Sequence, residues 1–181
     1  MTYQSPFGDM DTENEWPDAL CLSRTHCADA SEETLDEFYR GAVTLIDAGI
    51  PQPAFFLARQ LAELALKALL EPEQVWGHDL GKLLKRLEKN GDDLFTGGND
   101  RRLIIDFIQD LDSRDPGGDE GRYPTSSAGA PSLATVCCAD PVLFRKYVDL
   151  LFLYTQGRIC PCRPDCLRSG PVESSADVSG G

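Results

Sequence analysis

Histidine is scarce in this 181-residue chain, which holds only His26 and His78. The sequence also lacks the G-x-S-x-G and H-E-x-x-H motifs, and no glycine-rich phosphate loop follows a strand. A hydrolase of the familiar kinds is therefore not supported, and we expect no cofactor and no metal. No segment alternates polar and apolar residues with a period of two, so we expect no β-sheet.

Long apolar runs are absent as well. No run approaches the roughly 20 residues that a membrane-spanning helix needs. The first 16 residues show neither a basic region nor an apolar one, so we expect no signal peptide, no membrane association and a cytoplasmic location. The net charge is −13, and residues 1–37 hold ten acids against Arg24 alone. Such an acidic surface repels phosphate backbones, so general DNA binding is not expected.

The seven cysteines do not form the pattern of a disulfide scaffold or a zinc site. Their number is odd, and we expect reduced thiols. The segment "CPCRPDC" contains Cys160, Cys162 and Cys166 with C-x-C-x3-C spacing. Structural zinc sites usually show paired C-x2-C spacings and four ligands. We therefore expect a surface thiol cluster that is prone to oxidation.

What the chain does show is helical periodicity. The apolar residues predict an all-α, antiparallel bundle of about five helices with a long loop, residues 115–138, before the last helix. Residues 1–30 are expected to form an acidic, disordered arm, residues 31–156 the helical domain, and residues 157–181 a disordered tail with cysteines. The five helices are predicted to begin after Ser31, near Pro53, near His78 and Asp79, at Asn99 or Asp100, and at Asp140–Pro141.

The second helix carries a narrow polar stripe in an otherwise apolar sequence. Arg59, Gln60, Glu63 and Lys67 fall within about 100° of the helix circumference. Arg59–Glu63 and Glu63–Lys67 have the i,i+4 spacing of helix-stabilising ion pairs. One interpretation is a solvated face. The other is a cleft in which Glu63 orients an arginine or a histidine.

Two further segments are candidate binding sites. In "GHDL", His78 is either the residue that precedes or caps the third helix, or a general acid–base or RNA contact near neutral pH. In "DEGRYP", Arg122 is suited to an anionic group and Tyr123 to stacking on a base. The alternative is a loop anchored by Tyr123 and stiffened by Pro124.

The phrases "FFLARQLAELALKALL" and "GHDLGKLLKRL", with "RYP" after a further helix, resemble the HEPN superfamily of small helical bundles over about residues 33–155. The resemblance implies a place in bacterial conflict or toxin–antitoxin systems, and homodimers are expected. Members that cut RNA do so without metal, with an arginine, a polar neighbour and a histidine four to six residues later. The nearest candidate is Arg114, but no histidine follows it, so the nuclease motif is absent.

Three hypotheses follow. The first is a catalytically silent HEPN-like domain that binds a nucleotide, RNA or a protein partner. Its ligand-binding candidates are Arg59, Glu63, Lys67, His78, Asp79, Arg122 and Tyr123. The second is a divergent metal-independent endoribonuclease, in which His78 acts with an arginine such as Arg114 or Arg122. The third is a pure protein-interaction module.

Overall fold

The computed structural model describes residues 30–118, 120–125, 129, 131–134, 136 and 138–159. The predicted arm before residue 30, the tail from residue 160 and the cysteines in them lie outside the described residues. The helices are α1 (Ala30–Asp47), α2 (Pro51–Leu69), α3 (Leu80–Lys89), α4 (Asn99–Arg114) and α5 (Pro141–Ile159). The described part of the chain contains no strand, only an isolated bridge between Thr125 and Pro131. The prediction of an all-α bundle with five helices is confirmed.

Side-chain caps set the beginnings of two helices. An Asp79 oxygen accepts a hydrogen bond from the backbone N–H of Lys82 at 2.8 Å, and Asp140 accepts from Val142 and Leu143 at the start of α5. These bonds satisfy N–H groups that have no partner within a helix. His78 therefore lies just before α3, as one of the two sequence interpretations proposed.

Three boundaries differ from the predicted ones. α2 begins at Pro51, two residues before Pro53, because a first turn has no intrahelical N–H bond to lose and accommodates both prolines. Ser31, predicted as a cap, lies inside α1, which begins at Ala30. At the other end of the domain, α5 continues to Ile159.

α2 is the central helix of the bundle and packs against α3, α4 and α5. Alanines on its buried faces keep neighbouring helices close. α1 approaches α2 at Gly41, where a Cβ atom would lie 2.8 Å from Leu57. α1 also meets α5, where the ring of Tyr39 stacks on Phe152 with 3.9 Å between centroids. None of the helices described is both long and apolar enough to cross a membrane.

Candidate functional site

The polar stripe of α2 is buried at its centre. Arg59 is 0% exposed and Glu63 is 4% exposed. Arg59 donates from Nη1 to Glu63 at 3.1 Å, from Nε to the backbone oxygen of Asp115 at 3.2 Å, and from Nη2 to the backbone oxygen of His78. The interpretation of the stripe as a solvated face is therefore wrong for these two residues, since each charge is enclosed by protein and paired.

Glu63 joins this arginine to the outer surface. Its second oxygen accepts from Lys67 Nζ at 2.7 Å and lies 2.9 Å from His78 Nδ1. Burial alone raises the pKa of Glu63, but the hydrogen bonds from Lys67 and His78 outweigh it and hold that pKa below its usual value. The carboxylate therefore stays charged at neutral pH. The imidazole of His78 is mostly exposed to solvent, with a side-chain exposure of 71%.

The segment after α4 runs along the face of α2 that carries Arg59. Asp115 is 0% exposed, and its Oδ1 accepts from the backbone of Gly118 at 2.7 Å and Glu120 at 3.2 Å. Gly118 has a φ of +79°, and a Cβ atom there would lie 3.1 Å from Arg59 Cζ. Only glycine therefore combines this conformation with such a close approach to the guanidinium.

The same segment continues toward the beginning of α2. A Cβ atom at Gly121 would lie 2.9 Å from Phe56, and the backbone oxygen of Tyr123 accepts from Gln52 at 3.2 Å. The Tyr123 side chain is 53% exposed. The backbone of Tyr123 therefore contributes to the attachment of the loop to α2. Residues 115–118 and 120–123 therefore pack along α2, and of the stripe residues it is Arg59 that they contact.

The candidate arginines are positioned differently from Arg59. Arg122 is exposed, and its Cζ lies 5.3 Å from the centre of the Phe56 ring. Arg114 is exposed at the end of α4 and pairs with Asp110 at 3.1 Å. Asp79 pairs with Lys82 at 2.9 Å; the hydrogen bonds from Lys82 hold the Asp79 pKa below its usual value. The structure thus brings Arg59, Glu63, Lys67 and His78 together. Arg122 and Tyr123 lie on the loop, next to Phe56 and Gln52 at the beginning of α2.

The family model described as HEPN domain matches residues 35–139, more than half of the 181 residues. The chain belongs to the HEPN domain family. Neither a curated protein nor a solved structure gave a match. The matched segment contains the whole Arg59 network and ends just before α5, a shorter range than the resemblance suggested from the sequence.

Sequence reasoning missed a second feature of this HEPN domain. An open cleft of about 790 Å³ lies between the first turns of α2 and α5, the length of α4, and the described residues of the segment before α5, which include Ser132, Leu133 and Val136. Its walls include Phe55, Phe107, Phe144 and Tyr147. The spaced aromatic residues of α4 and α5 were assigned to the core, and periodicity cannot tell a filled core from one left partly open.

No group of three or more histidine, cysteine or acidic side chains that could hold a metal ion occurs in the described ranges.

Proposed function

We propose that this HEPN domain acts by binding a partner and does not cut RNA, within a conflict or toxin–antitoxin-type system. The observation that carries the proposal is the burial of Arg59. Metal-independent RNA cleavage by attack of a ribose 2′-hydroxyl needs an acid–base pair and a positive group on the phosphate. The arginine that contacts both His78 and its carboxylate partner is 0% exposed.

Arg59 has its own structural role. Its three nitrogens bond to Glu63 and to the backbone oxygens of Asp115 and His78, so they attach the beginning of the loop after α4 and the residues just before α3 to α2. A phosphate could reach this guanidinium only if the loop left. Arg114 and Arg122 are exposed, but the contacts that position them are with Asp110 and the Phe56 ring. The geometry thus favours a structural role for Arg59 over a role in binding a phosphate.

The surface that this part of the domain presents is the proposed binding face. It comprises the exposed imidazole of His78 next to Asp79, with Lys67 at its edge, and the exposed side chains of Arg122 and Tyr123 on the loop. A positive group, an aromatic ring and an imidazole suit an RNA segment, a nucleotide or an acidic protein surface. The partner is proposed as one of these classes, and a second copy of the chain remains the expected oligomeric partner.

The test is an RNA cleavage assay with purified protein and no added metal. We expect no cleavage above a buffer control for the wild type. His78→Ala and Arg122→Ala are the diagnostic variants, and Arg40→Ala is the matched control because Arg40 is exposed on α1, away from the proposed face. Cleavage by the wild type that is lost in both diagnostic variants but kept in Arg40→Ala would refute the proposal.

That refuting result would establish the second candidate, a divergent endoribonuclease. One observation favours it. His78 Nδ1 lies 2.9 Å from the buried carboxylate of Glu63, while most of the ring is exposed. A carboxylate that fixes one ring nitrogen leaves the other directed to act as an acid or a base. If cleavage persists equally in every variant, the activity comes from a contaminant.

A further inference from the structure

The cleft between α2, α4 and α5 has an aromatic interior. The ring centre of Phe107 lies 6.2 Å from that of Phe144 and 5.6 Å from that of Tyr147, and all three rings line the cleft with Phe55. The volume of about 790 Å³ is in the range of sites that hold small organic molecules. Aromatic walls of this kind bind apolar bodies and also attract cations to their faces.

Charge at the rim selects among such molecules. Among the described residues, the cleft is lined by Asp106, Asp110 and Asp140 but by a single basic residue, Arg114. Asp110 and Arg114 form an ion pair, and Asp140 caps α5 with its oxygen. Asp106 is exposed on the middle of α4. The lining therefore carries two net negative charges, which repel carboxylates and phosphates and attract organic cations.

A hydroxyl at the cleft adds an unfilled hydrogen-bonding group. The Oγ atom of Ser132, a lining residue, is buried and has no hydrogen-bond partner among the described residues. Buried hydroxyls normally have a partner. An N–H donor of a molecule bound in the cleft is the kind of group that would satisfy this oxygen.

We propose that this cleft binds a small hydrophobic organic cation, an amine with an aromatic or branched apolar body. The body packs among Phe55, Phe107, Phe144 and Tyr147, and the ammonium lies toward Asp106. Neither His78 nor Arg122 lines this cleft, so the proposal does not depend on whether the protein cuts RNA.

The experiment compares two probes with nearly the same apolar body and opposite charge, phenylbutylammonium and phenylbutanoate. Each is titrated into the full chain and followed by the NMR signals of the aromatic rings. We expect the cation to shift the signals of Phe107, Phe144 and Tyr147 and to bind about tenfold more tightly than the anion at low salt. Added salt should reduce the difference.

A pair of variants tests the rim. Asp106→Asn should weaken binding of the cation about threefold, because one carboxylate charge is lost. Asp100→Asn is the matched control on the same helix, since Asp100 is exposed and does not line the cleft. This variant should bind the cation with the same affinity as the wild type. Neither residue is buried, so both variants should fold.

Three results would overturn the proposal. Equal affinity for the cation and the anion would show that the cleft binds apolar molecules without selecting their charge. No ring shift with either probe up to millimolar concentration would exclude a small-molecule site. Loss of the ring signals on raising the protein concentration alone, with a matching rise in mass by sedimentation, would assign the cleft to a second copy of the chain.

Discussion

Replacing Arg59 by methionine should destabilise the domain far more than its i,i+4 geometry suggests. Methionine keeps the length of the side chain but removes the guanidinium. Glu63, 4% exposed, and Asp115, 0% exposed, then lose a buried positive partner. Breaking a buried ion pair at one end typically costs about 3–5 kcal/mol, because an uncompensated charge remains in the protein interior. We expect a loss of that size.

The assay is urea unfolding of the full chain, followed by helical circular dichroism at neutral pH. Arg40→Met is the matched control. Arg40 also pairs four residues away, with Asp36, but its side chain is 68% exposed. Exposed helix pairs contribute about 0.3–0.5 kcal/mol, so this control should barely change the midpoint. The free energy of unfolding of a domain of this size is about 5–15 kcal/mol, so a loss of about 3–5 kcal/mol leaves Arg59→Met folded at any wild-type value above the low end of that range.

The double variant Arg59→Met, Glu63→Gln decides the cause. Glu63 keeps its contacts with Lys67 and His78 in Arg59→Met, so the question is whether loss of the arginine alone destabilises its buried charge. If it does, removing that charge should recover about 1–3 kcal/mol, and the two changes will be non-additive. The reasoning is refuted if Arg59→Met costs less than about 1 kcal/mol, the upper limit for an exposed pair. It is also refuted if the two losses simply add, since the pair would then be uncoupled.

Two further predictions concern the same network. Because the pKa of Glu63 lies below its ordinary value, its charge stabilises the fold above the unfolded-state pKa of about 4.3, and that contribution is lost as the pH falls through the lower folded value. In Glu63→Gln the free energy of unfolding should therefore fall less steeply as the pH is lowered. An unchanged acid limb of the stability–pH profile would contradict this. Gly118→Ala should lower the free energy of unfolding in urea by about 1 kcal/mol or more beyond the loss in Gly49→Ala. Both glycines have positive φ, but only a Cβ atom at residue 118 meets Arg59. Equal losses in the two variants would show that the contact is unimportant.

The helices could be predicted because their signals are local. Asp79 and Asp140 precede apolar periods and cap α3 and α5, and the all-apolar surroundings of Arg59 predicted a central α2. Helix starts were less certain where two residues suit the same role. Pro51 and Pro53 both fit a first turn, and the prediction placed the start near Pro53, two residues after the observed one.

The burial of the polar stripe could not be predicted, because it depends on contacts across the chain. Arg59 meets Asp115, 56 residues away, and the loop that follows Asp115 covers α2. A narrow stripe indicates partial burial but not what buries it. The signal that was present is the pair of glycines at 117 and 118 after Asp115, which marks a close turn. Its partner on α2 is a tertiary fact, which no local pattern contains.

This arrangement determines how a loss of function in this domain should be interpreted. Arg59 variants disturb the loop that bears Arg122 and Tyr123, so lost binding or lost cleavage in them would not identify a residue that contacts RNA. His78→Ala is different. The contact with Arg59 uses the backbone oxygen of His78, which alanine keeps, and the change removes only the exposed ring and its bond to Glu63. A His78→Ala protein with near-normal stability and altered RNA handling would therefore report on chemistry or recognition, whereas the same defect in Arg59→Met would report first on folding.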